Sequence, residues 1–162
     1  MALLPLIRKI EPNDIGVIDI IIRQVMTEFD CIGPGYSIED PEMNDIYSAY
    51  QGNQSAFYVI ELAGEILGCG GFAPLAGGSA SICELRKMYF LSKLRGMGMG
   101  NKLLDLCINE AKKKGFSIMY LETVNRMEAA NRLYVKKGFK LLPAAKGNTG
   151  HSSCNSFYEL LL

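Results

Sequence analysis

Three alternating glycines follow an arginine in the run Arg95-Gly96-Met97-Gly98-Met99-Gly100. Glycine has no Cβ, so such a run lets the backbone come close to a ligand. The run lies directly before a strongly helical segment, where free N–H groups and the helix dipole favour an anion. The spacing therefore predicts a phosphate-binding loop. A simple tight turn before a helix is the alternative that the glycines alone leave open.

Two better-known phosphate loops do not fit this run. A dinucleotide-binding loop needs Gly-x-Gly-x-x-Gly, but the residue three places after Gly98 is Asn101. A P-loop needs Gly-Lys followed by Ser or Thr, and the sequence contains no such triplet.

The elements around the loop follow from hydrophobic periodicity. Residues 82–91 are typical of a strand, and residues 97–114 of an amphipathic helix with Leu103, Leu104 and Cys107 on its apolar stripe. Gly115 is placed to end this helix. The other predicted strands cover residues 3–10, 56–62, 66–73, 116–124, 139–142 and 155–162, and the other predicted helices cover residues 15–29, 37–50 and 127–137.

This order of elements predicts an α/β fold. Antiparallel strands come first and a β-α-β-α run follows, so we expect a mixed sheet with helices on both faces. The chain has 162 residues without a visible repeat or linker, and we expect residues 1–162 to form a single domain.

The charges are divided unevenly along the chain although the net charge is zero. Residues 24–85 contain nine acidic residues and no lysine or arginine, whereas residues 86–146 contain 14 basic residues and four acidic ones. The basic half would attract an anion such as a phosphorylated cofactor, and the acidic half a cation such as a protonated amine. Two solvated faces are the alternative interpretation.

Several function classes are disfavoured. The apolar stretch 2–7 is short and broken by Pro5, so we expect no membrane span and no signal peptide. Five scattered cysteines and a single histidine indicate a reducing cytoplasm and no metal site. The lysine run 112–114 has no interleaved aromatic residues, so we expect no nucleic-acid partner.

The loop and its flanking segments together resemble the GNAT superfamily of acyl-CoA-dependent N-acyltransferases. Arg95-x-x-Gly98-x-Gly100 is similar to the family's Arg/Gln-x-x-Gly-x-Gly/Ala motif. Residues 84–90 look like its fourth strand, 121–123 like its fifth strand and 127–139 like its fourth helix. The resemblance covers about residues 56–142. It implies a mostly antiparallel central sheet splayed between strands four and five, and an acetyltransferase that uses acetyl-CoA.

The resemblance also implies how acetyl-CoA is bound. The backbone of Met88, Tyr89 and Phe90 would pair with the pantetheine arm, and an N–H near Tyr89 would polarise the thioester carbonyl. Asn131 would hydrogen-bond the cofactor, whereas Met127 replaces an asparagine that many members carry. The residues expected to bind the pyrophosphate are Arg95, Gly96, Met97, Gly98, Met99, Gly100 and Asn101.

Two residues match the family's catalytic positions. Glu84 would act as the base, directly or through water, on an amine whose free pKa is about 10.4. Tyr134 would donate a proton to the leaving thiolate. The alternatives are a salt bridge between Glu84 and Arg86 and a purely structural tyrosine at 134.

The expected acceptor is a primary amine of a small molecule, amino acid or peptide, which attacks the thioester directly. We assign Glu28 and His151 to the acceptor side, where His151 is either a second base, which leaves open whether it or Glu84 takes the proton, or a substrate contact. An exposed loop histidine is the alternative for His151. The acids expected to favour a cationic acceptor are Glu28, Asp30, Glu39, Asp40, Glu42 and Asp45.

Two questions about the whole protein stay open at this stage. The apolar end 160–162 fits either a core strand or the edge of a homodimer. A non-catalytic acyl-CoA sensor of the same fold is the alternative function, and the presence of both Glu84 and Tyr134 speaks against it.

Overall fold

The computed structural model describes residues 2–162 and contains one seven-stranded sheet. The strands are β1 (Leu6–Lys9), β2 (Ala56–Leu62), β3 (Glu65–Pro74), β4 (Ile82–Phe90), β5 (Ile118–Thr123), β6 (Lys140–Leu142) and β7 (Ser156–Leu161). Their order in the sheet is β1-β2-β3-β4-β5-β7-β6, with β4 and β5 parallel and all other neighbours antiparallel. The predicted mixed, mostly antiparallel sheet is confirmed.

Helices cover both faces of this sheet. They are α1 (Ile15–Glu28), α2 (Ile46–Ala49), α3 (Met99–Lys113) and α4 (Glu128–Lys137). Alternate residues of β2 enter two separate cores, because Tyr58 and Ile60 pack on the side of α3 whereas Phe57 and Val59 pack on the side of α1. No helix within residues 2–162 combines the length and the apolar character needed to cross a bilayer.

Strands β4 and β5 separate after three paired positions. The pairs run from Ile82 with Ile118 to Glu84 with Tyr120, and the two strands then diverge. In the diverging part β4 carries a bulge, where its register with β3 shifts and Lys87 adopts a positive φ of 52°. The expected opening between the fourth and fifth strands is therefore present, with Glu84 where the strands part.

The prediction of one helix over residues 37–50 is wrong. This segment forms two 3-10 turns, Ser37–Glu39 and Pro41–Asn44, before the single turn of α2. Pro41 lacks an N–H and disfavours a helical residue before it, so Asp40 is extended with ψ 138°.

The end of the chain is part of the core. Strand β7 lies between β5 and β6 rather than at an edge of the sheet, and Leu160 packs against the core on the side of α3. The core interpretation of residues 160–162 is thus confirmed for Leu160, while Leu161 is exposed.

Candidate active site

The glycine run forms a loop with free N–H groups at the start of α3. Gly96 and Gly98 have φ values of 78° and 76°, a left-handed conformation that side chains rarely adopt. The first bond that closes the helix runs from the N–H of Lys102 to the carbonyl of Gly98 at 3.2 Å. Among residues 2–162, the N–H groups of residues 96–101 have no backbone acceptor. These donors, at the positive end of the helix dipole, can bind an anion.

The Arg95 side chain anchors this loop to the end of α1. Its Nε donates to the carbonyl of Phe90 at 3.0 Å, and its guanidinium forms a two-point ion pair with Glu28. The guanidinium also lies 5.6 Å from the ring centroid of Phe29. The hydrogen bonds from Arg95 lower the pKa of Glu28. Glu28 thus lies beside the glycine loop, where α1 ends, and not with the carboxylates around His151 as its predicted place on the acceptor side requires.

A cleft of about 530 Å³ extends from this loop along β4. Ala130 and Leu133 of α4 contribute to its lining, and Met97 and Asn131 do not. The predicted cofactor-binding residues that do line it are Met88, Tyr89, Phe90, Arg95, Gly96, Gly98, Met99, Gly100 and Asn101. Most of the residues assigned to cofactor binding are therefore brought together in one place.

Asn131 uses its carboxamide inside the protein. The side-chain nitrogen donates to the carbonyl of Val124 at 3.0 Å and to that of Met127 at 2.7 Å, and the oxygen accepts from the hydroxyl of Tyr158 at 2.7 Å. Both amide hydrogens are used, so Asn131 fixes the junction between β5 and α4 instead of offering a donor to a ligand.

Glu84, Tyr134 and His151 line a second cavity of about 60 Å³, which also reaches Met88 and Tyr89 of the cleft. The Glu84 side chain is only 3% exposed, and its Oε1 accepts from Nε of Arg86 at 2.7 Å. Burial raises the pKa of Glu84, against the lowering effect of Arg86. The salt bridge with Arg86 is thus present, but it occupies one carboxylate oxygen and leaves Oε2 without a hydrogen-bond donor among residues 2–162.

The Tyr134 ring is packed in the core, at centroid distances of 5.8 Å from Phe139 and 5.9 Å from Tyr158. Among residues 2–162, its hydroxyl has no hydrogen-bond partner, and burial raises its pKa. The phenol is therefore protonated at neutral pH and free to donate into the cavity that it lines. This environment is compatible with both roles considered for Tyr134: its ring packs in the core, and its hydroxyl is available as a proton donor.

His151 is the centre of a buried ionic cluster, so the exposed-loop alternative is wrong. Its side chain is 9% exposed, Nε2 lies 2.9 Å and 3.0 Å from the two carboxylate oxygens of Asp40, and Nδ1 lies 3.2 Å from Oε1 of Glu122. Burial lowers the pKa of the imidazole, but the hydrogen bonds to Asp40 and Glu122 outweigh it and raise the pKa to about 9. His151 is thus an imidazolium at neutral pH.

Two members of this cluster, Glu122 and Lys87, have no role in the site predicted from the sequence. Glu122 is 2% exposed and accepts hydrogen bonds from the hydroxyls of Tyr120, at 2.9 Å, and Thr149. Nζ of Lys87 lies 2.8 Å from Asp40, and its side chain is 1% exposed. Two features of the sequence could have identified these residues: an acid inside the apolar strand β5 and a lysine inside β4. Charged residues are rarely buried without a partner.

The six acids that cluster in sequence do not all face the acceptor side. Asp40 and Glu42 line a third cavity of about 180 Å³, together with Glu84, Arg86 and His151. The others are Glu28 at Arg95, Asp45, which caps α2, and the exposed Asp30 and Glu39.

Glu84, Glu122 and His151 offer ligand atoms that lie within 4.8 Å of one another, a spacing that could hold a metal ion. Both ring nitrogens of His151 already face carboxylates, and the raised pKa of the ring keeps them protonated at neutral pH. A metal would therefore have to displace a tightly held proton.

Comparison with known proteins identifies the family. The model of the acetyltransferase (GNAT) family matches residues 22–139. The uncharacterized N-acetyltransferase YjgM of Escherichia coli (strain K12) is 39% identical over 151 residues, which cover 93% of this chain and 90% of that protein.

Solved structures share the fold. A GNAT-family acetyltransferase of Staphylococcus aureus Mu50 superimposes with a TM-score of 0.83 at 21% identity, covering 96% of this chain and 98% of that one. The protein yncA of Salmonella typhimurium, in complex with its cofactor acetyl-CoA, has a TM-score of 0.76 at 20% identity and covers 98% of this chain and 94% of that one. Because the family match spans most of its residues, the chain belongs to the acetyltransferase (GNAT) family and is an N-acetyltransferase.

Proposed function

We propose that the protein transfers the acetyl group of acetyl-CoA to a primary amine, with Glu84 as the base and Tyr134 as the acid. One observation carries this proposal. Glu84 on β4 and Tyr134 on α4 line the same cavity, and that cavity adjoins the cleft with the free N–H groups of residues 96–101. A base, an acid and an anion site thus meet where β4 and β5 separate.

The residues of the cleft fit acetyl-CoA. The unpaired N–H groups suit a pyrophosphate, and the positive φ of Gly96 and Gly98 keeps them directed outward from α3 without a Cβ in the way. Gly100 packs closely, because a Cβ there would lie 3.1 Å from Phe90 and 3.2 Å from Leu133. The cofactor supplies an acetyl thioester, and the backbone of residues 88–90 would hold the arm that carries it.

The proton steps follow from the environments of the two residues. Glu84 takes a proton from the acceptor ammonium, directly or through water, on Oε2, which lies 3.7 Å from Nδ1 of His151 and accepts no hydrogen bond from residues 2–162. Burial makes this carboxylate more basic than a solvated one. An N–H near Tyr89 donates to the carbonyl oxygen under attack. As the carbon–sulfur bond breaks, the protonated hydroxyl of Tyr134 donates to the departing sulfur, and the second proton that the nitrogen loses as the amide forms restores the phenol.

The acceptor is a cationic amine before it reacts. The carboxylates on the acceptor side are Asp40, Glu42, Glu84 and Glu122. Such a group attracts an ammonium and disfavours an anionic acceptor. The buried, free thiols of Cys31, Cys69, Cys83 and Cys107 support a reducing cytoplasm as the compartment.

A free-thiol assay with acetyl-CoA and a panel of amines, amino acids and peptides tests the activity. We expect thiol release with at least one cationic primary amine and none above background with carboxylic acids. Binding of CoA without thiol release from any panel member would favour the acyl-CoA sensor of the same fold instead. Preference for acidic or neutral acceptors would refute the charge argument.

A further inference from the structure

The ring of His151 is held by carboxylates on both of its edges. Nε2 lies 2.9 Å and 3.0 Å from the two oxygens of Asp40, and Nδ1 lies 3.2 Å from Oε1 of Glu122. Both carboxylates are fixed in turn, because Asp40 pairs with Nζ of Lys87 at 2.8 Å and Glu122 accepts from the hydroxyl of Tyr120 at 2.9 Å. The position of the ring is therefore determined by the loop before α2 on one side and by β5 on the other.

The backbone around His151 is tied to the rest of the protein as well. The N–H of Asn148 donates to the carbonyl of Ala76 at 2.6 Å. The hydroxyl of Thr149 accepts from the N–H of His151 at 3.1 Å and donates to Glu122. The loop before β7 thus presents the imidazolium in one place, and such a preorganised charge needs no reorganisation during a reaction.

Glu84 carries the third carboxylate near the ring, and its relation to His151 is different. Its Oε2 lies 3.7 Å from Nδ1 of His151, beyond hydrogen-bond distance, and accepts no hydrogen bond from residues 2–162. The N–H of Nδ1 is directed to Glu122 instead, which lies closer at 3.2 Å. His151 therefore brings a positive charge next to the free oxygen of Glu84 without covering that oxygen.

The same contacts disfavour His151 as the base. A base needs a free lone pair, and an imidazolium has none because both of its ring nitrogens carry a proton. The carboxylates around the ring raise its pKa to about 9, so this charged form is present at neutral pH. Between Glu84 and His151, only Glu84 is able to accept a proton from an ammonium under these conditions.

The charges around Glu84 come from several elements. Arg86 on the same strand donates to Oε1 at 2.7 Å, and His151 lies on the side of Oε2. The other groups around Glu84 are the carboxylates of Glu122, Asp40 and Glu42, the ammonium of Lys87, the phenols of Tyr120 and Tyr134 and the thiol of Cys154. The phenols and the thiol are neutral because burial raises their pKa values. Burial and the neighbouring carboxylates favour a protonated Glu84, and only the cations oppose them.

We propose that His151 is a positioning residue, whose fixed positive charge keeps the carboxylate of Glu84 ionised and leaves its Oε2 free for the proton of the acceptor. This inference rests on the proposed acetyl transfer and names a residue that acts through its base. An opposite charge within about 4–6 Å lowers the pKa of a carboxyl group by about one to three units. Removal of the imidazolium should therefore raise the pKa of Glu84 by at least about one unit.

Profiles of kcat/KM against pH test this coupling, with thiol release from acetyl-CoA and one cationic amine as the assay. The amine is the same for every protein, so a difference between two profiles reports the free enzyme. We expect the acidic limb of His151→Gln to lie at least about one pH unit above that of the wild-type protein, a loss of about tenfold on that limb. The profiles should converge above about pH 9, where His151 loses its proton. EDTA in every assay keeps metal ions away from the cluster.

The coupling is reciprocal and can be measured without activity. If His151 stabilises the ionised form of Glu84, then ionised Glu84 stabilises the imidazolium by the same amount. His151 is the only histidine in the chain, so its ring signals can be followed directly in an NMR titration. We expect Glu84→Gln to lower the pKa of His151 by at least about one unit. This titration also serves if His151→Gln does not fold.

Matched variants separate the charge of His151 from its part in holding the loop. Thr149→Val removes the hydrogen bonds of the hydroxyl to Glu122 and to the N–H of His151 but keeps every charge, so its acidic limb should stay at the wild-type position. His151→Lys restores a positive charge and should move the limb back toward the wild-type position.

The outcomes separate the two proposals. An unchanged acidic limb in His151→Gln, an equal displacement of the limb in Thr149→Val, or an unchanged pKa of His151 in Glu84→Gln overturns the inference and leaves acetyl transfer standing. A loss of kcat/KM in His151→Gln that is the same at every pH also overturns it, since a base or a purely structural residue would behave in this way. Thiol release with no amine of the panel overturns acetyl transfer itself, and with it the inference.

Discussion

Replacement of His151 by glutamine should remove a pH-dependent part of the stability. The pKa of His151 rises from an unfolded value of about 6.5 to about 9 in the folded protein, so the folded state binds this proton more tightly. The resulting stabilisation is fully present below pH 6.5 and is lost as the pH rises through 9. A shift of this size contributes about 3 kcal/mol at pH 6 and about 1.4 kcal/mol at pH 8.

The surroundings of His151 determine the sign of this effect. Asp40 from the loop before α2, Glu84 from β4 and Glu122 from β5 all face the ring, and Lys87 lies on the far side of Asp40. Three carboxylates around one imidazole favour the charged form although the ring is buried. The attraction of these carboxylates outweighs the cost of burying the charge, so a histidine whose side chain is only 9% exposed gains proton affinity.

Urea unfolding at pH 6 and pH 8 measures the effect. We expect the free energy of unfolding of the wild-type protein to fall by about 2 kcal/mol between these values and that of His151→Gln to change much less. His151 is the only histidine in the chain. The difference between the pH dependence of unfolding in the wild-type protein and that in the variant therefore reports this residue alone. If the free energy of unfolding changed equally between pH 6 and pH 8 in both proteins, the reasoning would be refuted, whatever their absolute stabilities.

Three further predictions concern the reaction. Tyr134→Phe should lower kcat about 10²-fold and leave the Kd of CoA in calorimetry unchanged, since the ring packing is kept; an unchanged kcat would remove Tyr134 from the mechanism. Glu84→Gln should lower kcat/KM for the amine about 10²–10⁴-fold, with partial recovery at high pH where the free amine is abundant; a flat profile at the wild-type rate would exclude Glu84 as the base. Gly98→Ala should raise the KM of acetyl-CoA about tenfold, whereas Gly64→Ala, with a similar positive φ in the β2–β3 turn, should alter stability only; equal KM values in the two variants would argue against the loop as the pyrophosphate site.

The sequence alone predicts the helices and strands correctly where the pattern of neighbouring residues determines them. Clear periodicity marks the segments that contain the loop at residues 95–100, Glu84 on β4 and Tyr134 on α4, and their elements form within a few residues of the predicted bounds. The failure at residues 37–50 is also local in origin, because Pro41 outweighs the helical pattern of the residues around it.

The ionic cluster could not be predicted in the same way. His151 and Asp40 are 111 positions apart, and Lys87 and Asp40 are 47 positions apart, so only the tertiary fold brings them together. Glu28 was misplaced for the same reason, since its partner Arg95 is 67 positions away and nothing in the local pattern selects it. Charge composition identified the acidic half of the chain, but only the fold separates its site residues from those at the surface.

The bulge in β4 explains how one strand borders both the ionic cluster at His151 and the cleft at the glycine loop. Before the bulge, the odd-numbered Leu85 packs on the side of α3. After the bulge, the even-numbered Met88 and Phe90 pack on that side, so the alternation of side chains between the two faces shifts by one residue at Lys87. An undisturbed strand would send Arg86 and Lys87 to opposite faces.

With the bulge, Arg86 reaches Glu42 at 3.6 Å and Lys87 reaches Asp40 at 2.8 Å, and both therefore hold the acceptor loop from the same side. The same change of phase turns Met88 and Phe90 toward the core beneath the cofactor cleft, next to the glycine loop. A single inserted residue thus divides β4 into a segment that contains Glu84 and a segment that borders the cleft at the glycine loop.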